Sequence, residues 1–155
     1  MFFSRILGVV SVAFFAAVSA APSFAASASF TKQKSPGYIS VQGLNGTSRF
    51  ATLSGDFPAG TLNTTKTITS LQYSYGTYPN GSAQTVQACM TKAYSSVYEV
   101  CQDITGSQSG TASSFAGKVI SAGKDIHIIH ILTGGTYPTV APATQDQITV
   151  TFSYN

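Results

Sequence analysis

Charge is scarce in this chain. Asp, Glu, Lys and Arg together supply 8 % of the 155 residues, as 8 basic and 5 acidic side chains. A cytosolic enzyme usually carries about a quarter charged residues, so the polar positions here are filled by Ser, Thr, Asn, Gln and Gly instead. Lys32 and Lys34 are the only close basic pair. Nucleic-acid binding needs clustered cations that displace counterions from phosphates, and their absence excludes that partner class. Trp is missing and Cys occurs twice. No stretch keeps an apolar period of 3.6 over three turns, which argues against amphipathic helices. What remains is 43 % hydrophobic and 12 % aromatic residues, enough to build a core and too many for a disordered chain.

The longest apolar run lies at the front. Ile6 to Val18 is broken only by Gly8 and Ser11, follows the lone Arg5, and precedes Ser23-Phe24-Ala25. A positive start, a short apolar run and small residues at the −3 and −1 sites are the marks of a secretory signal. A membrane span needs about 20 apolar residues, more than this run offers. The expectation is a signal peptide over residues 1–25, with Ala20, Ala21 and Ala28 as alternative cleavage points. Residues 26–155 then form one domain, periplasmic or secreted, with no stable membrane insertion.

The rest of the chain is punctuated by turn formers: Ser35-Pro36-Gly37, Asn45-Gly46, Pro58-Ala59-Gly60, Pro79-Asn80-Gly81, Gly106, Gly134-Gly135 and Pro142. Between them lie segments rich in Thr, Val, Ile, Tyr and Phe, side chains that suit a pleated surface. Gln147 to Tyr154 alternates strictly, with Ile148, Val150, Phe152 and Tyr154 on one face. A period of two sends successive side chains to opposite faces, so this is a half-buried strand. Asp125 to Leu132 is apolar on both faces, as a central strand would be. Strands are expected near 38–42, 48–53, 66–75, 83–91, 97–104, 113–120, 125–132 and 146–154. Short strands at regular spacing point to an all-β, antiparallel β-sandwich.

Cys89 and Cys101 would meet in an oxidising compartment, where a disulfide is the default. A turn near Ser95 sets Cys89 opposite Cys101, Met90 opposite Val100 and Val86 opposite Ile104. The cysteines then fall on one face of the hairpin and most of the apolar pairs on the other.

His127 and His130 are three apart, and on a strand they point to opposite faces, so one metal cannot take both. The five acidic residues, Asp56, Glu99, Asp103, Asp125 and Asp146, are scattered. No Gly-x-Ser-x-Gly elbow is present, and no glycine-rich loop precedes a helix. These readings predict no catalytic residues, no metal and no cofactor. Asn45, Asn63 and Asn80 begin Asn-x-Ser/Thr sequons in expected loops. Tyr73, Tyr75, Tyr78, Tyr94 and Tyr98 offer an aromatic cluster of the kind favoured at interfaces. Core packing would claim Tyr73, Tyr75 and Tyr98, leaving Tyr78, Tyr94 and His127 as the candidate interaction surface.

The second half carries an ordered series. A strand with Cys89 and a strand with Cys101 lead to Gln108-Ser109-Gly110-Thr111 and Phe115-Ala116-Gly117. Ile120-Ser121-Ala122-Gly123, the apolar strand Ile126–Leu132, Gly134-Gly135, Pro138 and the closing strand Ile148–Tyr154 follow. Over about residues 66–154 this resembles the flagellar protein FlhE family. The resemblance implies a periplasmic, non-catalytic accessory protein of flagellar assembly and export, with Cys89 and Cys101 as the family's cysteine pair. Members are thought to act at the export channel and help limit proton leakage. A monomer that binds a protein partner, such as the flagellar export apparatus, is the expectation. Two alternatives stand beside it: a surface or fimbrial subunit with an adhesin-like domain, and a secreted effector or inhibitor of an external target.

Overall fold

The computed structural model describes residues 25–155, so the leader read at residues 1–25 lies outside them except for Ala25. Nine strands carry the architecture: β1 (Ala26–Lys34), β2 (Asn45–Ala51), β3 (Lys66–Ser74), β4 (Gly81–Thr91), β5 (Tyr98–Asp103), β6 (Ser109–Thr111), β7 (Val119–Ile120), β8 (Asp125–Gly135) and β9 (Asp146–Tyr154). Every pairing is antiparallel. One sheet runs β1-β9-β3-β6, with β7 joined to the other end of β3, and the second runs β2-β8-β4-β5. The fold is the all-β antiparallel sandwich that the alternation implied. Among the described residues, no helix is long and apolar enough to cross a membrane.

The core lies between the sheets and is drawn from alternate positions. β9 contributes Ile148, Val150 and Phe152, while β8 contributes Ile126 and Ile128 and β4 contributes Val86, Ala88 and Met90. β3 keeps Ile68 and Leu71 both inside because a bulge between Ile68 and Ser70 shifts its register by one residue. Phe30, Phe57 and Phe152 meet edge to face or tilted at one end of this core, with centroids 5.4 to 6.3 Å apart. A smaller apolar group, Ile39, Tyr78 and Leu132, closes the other end.

Several expected boundaries move. The strand expected near 38–42 is loop, and the first strand is β1, paired along its whole length with β9. Its inward residues include small Ala28 and amphipathic Lys32, so the alternation that marks it carries little hydrophobicity. Asn45-Gly46 is the start of β2 instead of a turn, which also puts the Asn45 sequon on a strand. Gly46 is needed there because a Cβ would overlap the Tyr78 ring. Residues 113–120 form a 3-10 turn at Ser113–Phe115 and the two-residue β7. Phe115 is fully buried by that turn, so the strand-like hydrophobicity reflects one anchor. Among the described residues no third layer covers the outer side of β8, yet Ile129 is buried between Thr47 and Gln87 in the cross-strand register.

The β4–β5 hairpin follows the register expected from a turn near Ser95. Cys89 pairs with Cys101 and Met90 with Val100, and Ile104 N–H donates to Val86 O at 2.9 Å. The Cys89–Cys101 disulfide is formed. A shift between Met90 and Thr91 then sets Thr91 opposite Tyr98.

Candidate binding site

The two histidines of β8 go to opposite sides of the sheet, as their spacing requires. His130 points inward at 0 % exposure, and its Nε2 lies 2.7 Å from Oδ2 of Asp146, also at 0 %. Gln84 orients the ring. Its Oε1 accepts Tyr78 N–H at 3.2 Å, which turns Nε2 toward His130 Nδ1 at 2.9 Å. That arrangement places the ring proton on Nε2, where it donates to Asp146. Gly76 N–H supplies a second donor to Asp146 Oδ1 at 3.2 Å. Tyr75 and Tyr78 pack edge-on against the imidazole. Burial, and then the Asp146 charge, push the Tyr78 phenol up to about 12. Its hydroxyl donates to Gly37 O at 2.9 Å. A His–Asp pair resembles part of a catalytic triad, and this one is fully buried.

Tyr78, read from the sequence as surface, is therefore interior at 3 % exposure. The reason is local: the turn before β4 folds its ring over Gly46, into the space a side chain would have filled. Tyr73 and Tyr75 are buried as packing predicted, while Tyr98, assigned to the core, is exposed.

The other two candidates come together. His127 and Tyr94 line one open groove of about 780 Å³ on the outer face of the four-stranded sheet, with Arg49, Tyr98, Asp125 and Leu53. The strand registers explain the assembly. Arg49 on β2, His127 on β8, Cys89 on β4 and Cys101 on β5 form one cross-strand row. The next row on that face holds Ala51, Asp125, Thr91 and Tyr98.

The walls are stapled. Thr52 and the Ser121–Lys124 turn exchange backbone bonds, Thr52 N–H to Lys124 O at 3.0 Å and Gly123 N–H to Thr52 O at 2.9 Å. Tyr94 N–H donates to Gly123 O at 2.7 Å, tying the β4–β5 hairpin to the same turn. Tyr94 has φ +53°, a left-handed conformation that costs a non-glycine residue about 1 kcal/mol. Gly123 has no side chain, and a Cβ there would collide with the Tyr94 ring lying over it. The ring is thus held in place while remaining 87 % exposed.

Polar groups on the groove floor are only partly engaged. Arg49 Nε meets Asp125 Oδ2 at 2.7 Å, and the rest of the guanidinium meets no acceptor among the described residues. Tyr98 OH bonds His127 Nδ1 at 2.9 Å, with the rings edge to face. His127 Nε2 is covered but has no hydrogen-bond partner among the described residues. Burial lowers the His127 pKa, the Asp125 charge works against that, and Arg49 adds to it.

A second groove of about 420 Å³ adjoins the first, lined by Phe57, Leu62, Lys66, Ala93 and Ser121. Tyr94, Ser54 and Ala122 border both, so the Tyr94 ring divides them. Sequence reading passed over Lys66, Arg49 and Leu53 because nothing in their local pattern marks them; only the strand order brings them to Tyr94. Among the described residues, no three His, Cys, Asp or Glu side chains gather as a metal-binding group.

The class defined by these features is a disulfide-linked, two-sheet antiparallel sandwich with an open groove on one sheet. Among solved structures, its fold is similar to the crystal structure of FlhE, with a TM-score of 0.58 over 81 % of this chain and 96 % of that one, at 17 % identity. The likeness joins the resemblance seen in the second half of the sequence and extends it to the fold. The sequence matches no established family pattern, and no curated protein matches it.

Proposed function

We propose that this chain is an exported, non-catalytic accessory protein of the FlhE kind, which binds a protein partner at the Tyr94 end of the sandwich. The observation that carries the reading is Tyr94 itself: an aromatic ring held by a left-handed backbone, a hydrogen bond and a glycine seat, and still 87 % exposed. Strained backbone that neighbours hold in place is characteristic of sites that present a side chain to a ligand, and tyrosine is favoured at interfaces. Leu53 and Leu62 add exposed apolar surface beside the ring. The burial of His130 and Asp146 supports a non-catalytic role, because the pair most like a catalytic dyad is out of reach. The Cys89–Cys101 disulfide and the leader-like N-terminal sequence support a periplasmic or secreted location. β1 fills the edge beside β9 within its own chain, which favours a monomer over a subunit that donates that strand to a neighbour.

Photo-crosslinking in the native cell tests this. A benzophenone amino acid replaces Tyr94 or, as a control at the far end, the exposed Val140. The expected result is a heterologous product from position 94, containing a flagellar export component, and none from position 140. A product from 140 alone, or from 94 only with further copies of this chain, overturns protein binding at this end. A non-flagellar partner at 94 overturns the flagellar assignment and leaves protein binding intact.

A further inference from the structure

Lys66 differs from the cations that pair with a carboxylate among the described residues. Lys32, Arg49 and Lys124 pair with Asp56, Asp125 and Glu99 at 2.5 to 2.7 Å. Lys66 is 2 % exposed, and no carboxylate among the described residues pairs with it. It begins β3 pointing inward, where its ammonium donates to the carbonyls of Thr61 and Thr64 and sits 4.9 Å from the centroid of the Phe57 ring. An ammonium has three donors, so one is left over, and Lys66 lines the second groove. Enclosing a charge without a counter-charge is costly, and an anion arriving in the groove relieves that cost. Across the Tyr94 ring, the Arg49 guanidinium has N–H groups to spare in the first groove. The second groove therefore holds an incompletely satisfied cation and the first an exposed one with donors to spare, while three of the five acidic side chains are committed to ion pairs and Asp146 is hydrogen-bonded to His130.

We infer that the segment bound here is an extended acidic peptide, lying across both grooves over the exposed face of the Tyr94 ring, with one carboxylate on Lys66 and a second acceptor on Arg49. This rests on the reading of the Tyr94 end as a protein-binding site and names the chemistry of what it binds. Leu53 and Leu62 flank the path, so apolar residues accompany the acidic ones. Charge complementarity favours this occupant over a basic segment, and the adjoining grooves favour an extended strand over a single protruding side chain.

The test pans a phage-displayed random decapeptide library on the oxidised protein beginning at Ala26. Enriched peptides are expected to carry Asp or Glu near an apolar residue. Changing that acid to its amide should weaken binding at least tenfold, and raising the salt from 50 to 500 mM should weaken the parent peptide but hardly affect the amide. On the protein side, Lys66→Met should remove the acid preference and Lys66→Arg should retain it. Because the comparison of acid with amide needs no protein variant, a folding defect in Lys66→Met would leave it standing. Enriched peptides without acids, or an amide within twofold of its acid, overturn the inference. So does failure to enrich any peptide while position 94 still crosslinks a partner, which would mean a folded surface docks there. Loss of the crosslink at 94 instead removes the underlying protein-binding reading.

Discussion

The two ends of the sandwich treat their polar groups differently. At the end holding Tyr78, each nitrogen of the His130 ring and each carboxylate oxygen of Asp146 has a partner, supplied by Gln84, Gly76 or the other member of the pair. At the end holding Tyr94, among the described residues, His127 Nε2 lacks a partner and Lys66 lacks a counter-ion, and a tyrosine ring stands exposed. Both ends are built from the same β8 strand, and the two histidines are separated by only Ile128 and Ile129. A satisfied network rigidifies one arrangement, whereas leftover donors beside an exposed ring are what a partner can complete. The chain thus separates holding its shape from offering a surface, and assigns each task to one end.

The sharpest way to break that division is Asp146→Ala. It leaves His130 and Gly76 N–H facing no acceptor inside the protein, and each buried donor left unsatisfied costs about 1–3 kcal/mol. Urea denaturation should show a lower midpoint, and a loss below about 1 kcal/mol would mean this end does not carry the stability assigned to it. Reducing the disulfide comes next. It links residues 12 apart, and opening a loop of this size costs about 3 kcal/mol when unfolded-chain entropy dominates. The Tyr94 groove should suffer more than the His130 cluster, since Cys89 stands beside His127 in the cross-strand row; amide exchange around each histidine would read the difference.

Tyr94→Gly should do the reverse. Glycine accepts φ +53° without strain, which offsets the lost contact over Gly123, so stability should change by less than about 1 kcal/mol while peptide capture disappears. A stability loss above about 2 kcal/mol would make Tyr94 a structural residue. The smallest effects are in pH, and they fall on opposite sides of neutrality. His127 has a folded pKa below its ordinary 6.5, so the unfolded chain binds more protons as pH falls through that value. Its stability contribution is present above pH 6.5 and fades below it, and His127→Gln should flatten that slope. Tyr78 is raised from 10.0 to about 12, so its contribution is present below pH 10 and fades as pH climbs toward 12. Absorbance titration at 295 nm of the native protein against Tyr78→Phe should find Tyr78 ionising well above pH 10, and its ionisation near pH 10 would sink the comparison.

The parts of this architecture that were legible in the sequence share a property: they are local. Strict alternation from Gln147 to Tyr154 specifies β9 whatever it pairs with, and a turn near Ser95 suffices to bring Cys89 to Cys101. The opposite facing of His127 and His130 follows from the pleat alone. What could not be read is set by strand order. Lys66 reaches Tyr94 only because β3 and the β4–β5 hairpin end at the same side of the sandwich, and Tyr78 is interior only because β2 passes its glycine beneath it. β1 escaped notice for a different reason, since Ala28 and the stem of Lys32 give a weak signal until β9 lies alongside.

That last pairing has a consequence in time. Ala26 lies opposite Tyr154 and Lys34 opposite Asp146. During vectorial synthesis or passage through a membrane, β1 emerges before the other described strands, and β9, its ladder partner among the described residues, emerges after them. Phe30 can meet Phe57 and β3 can pair with β6 and β7 beforehand, but β1 joins its sheet only once β9 has followed.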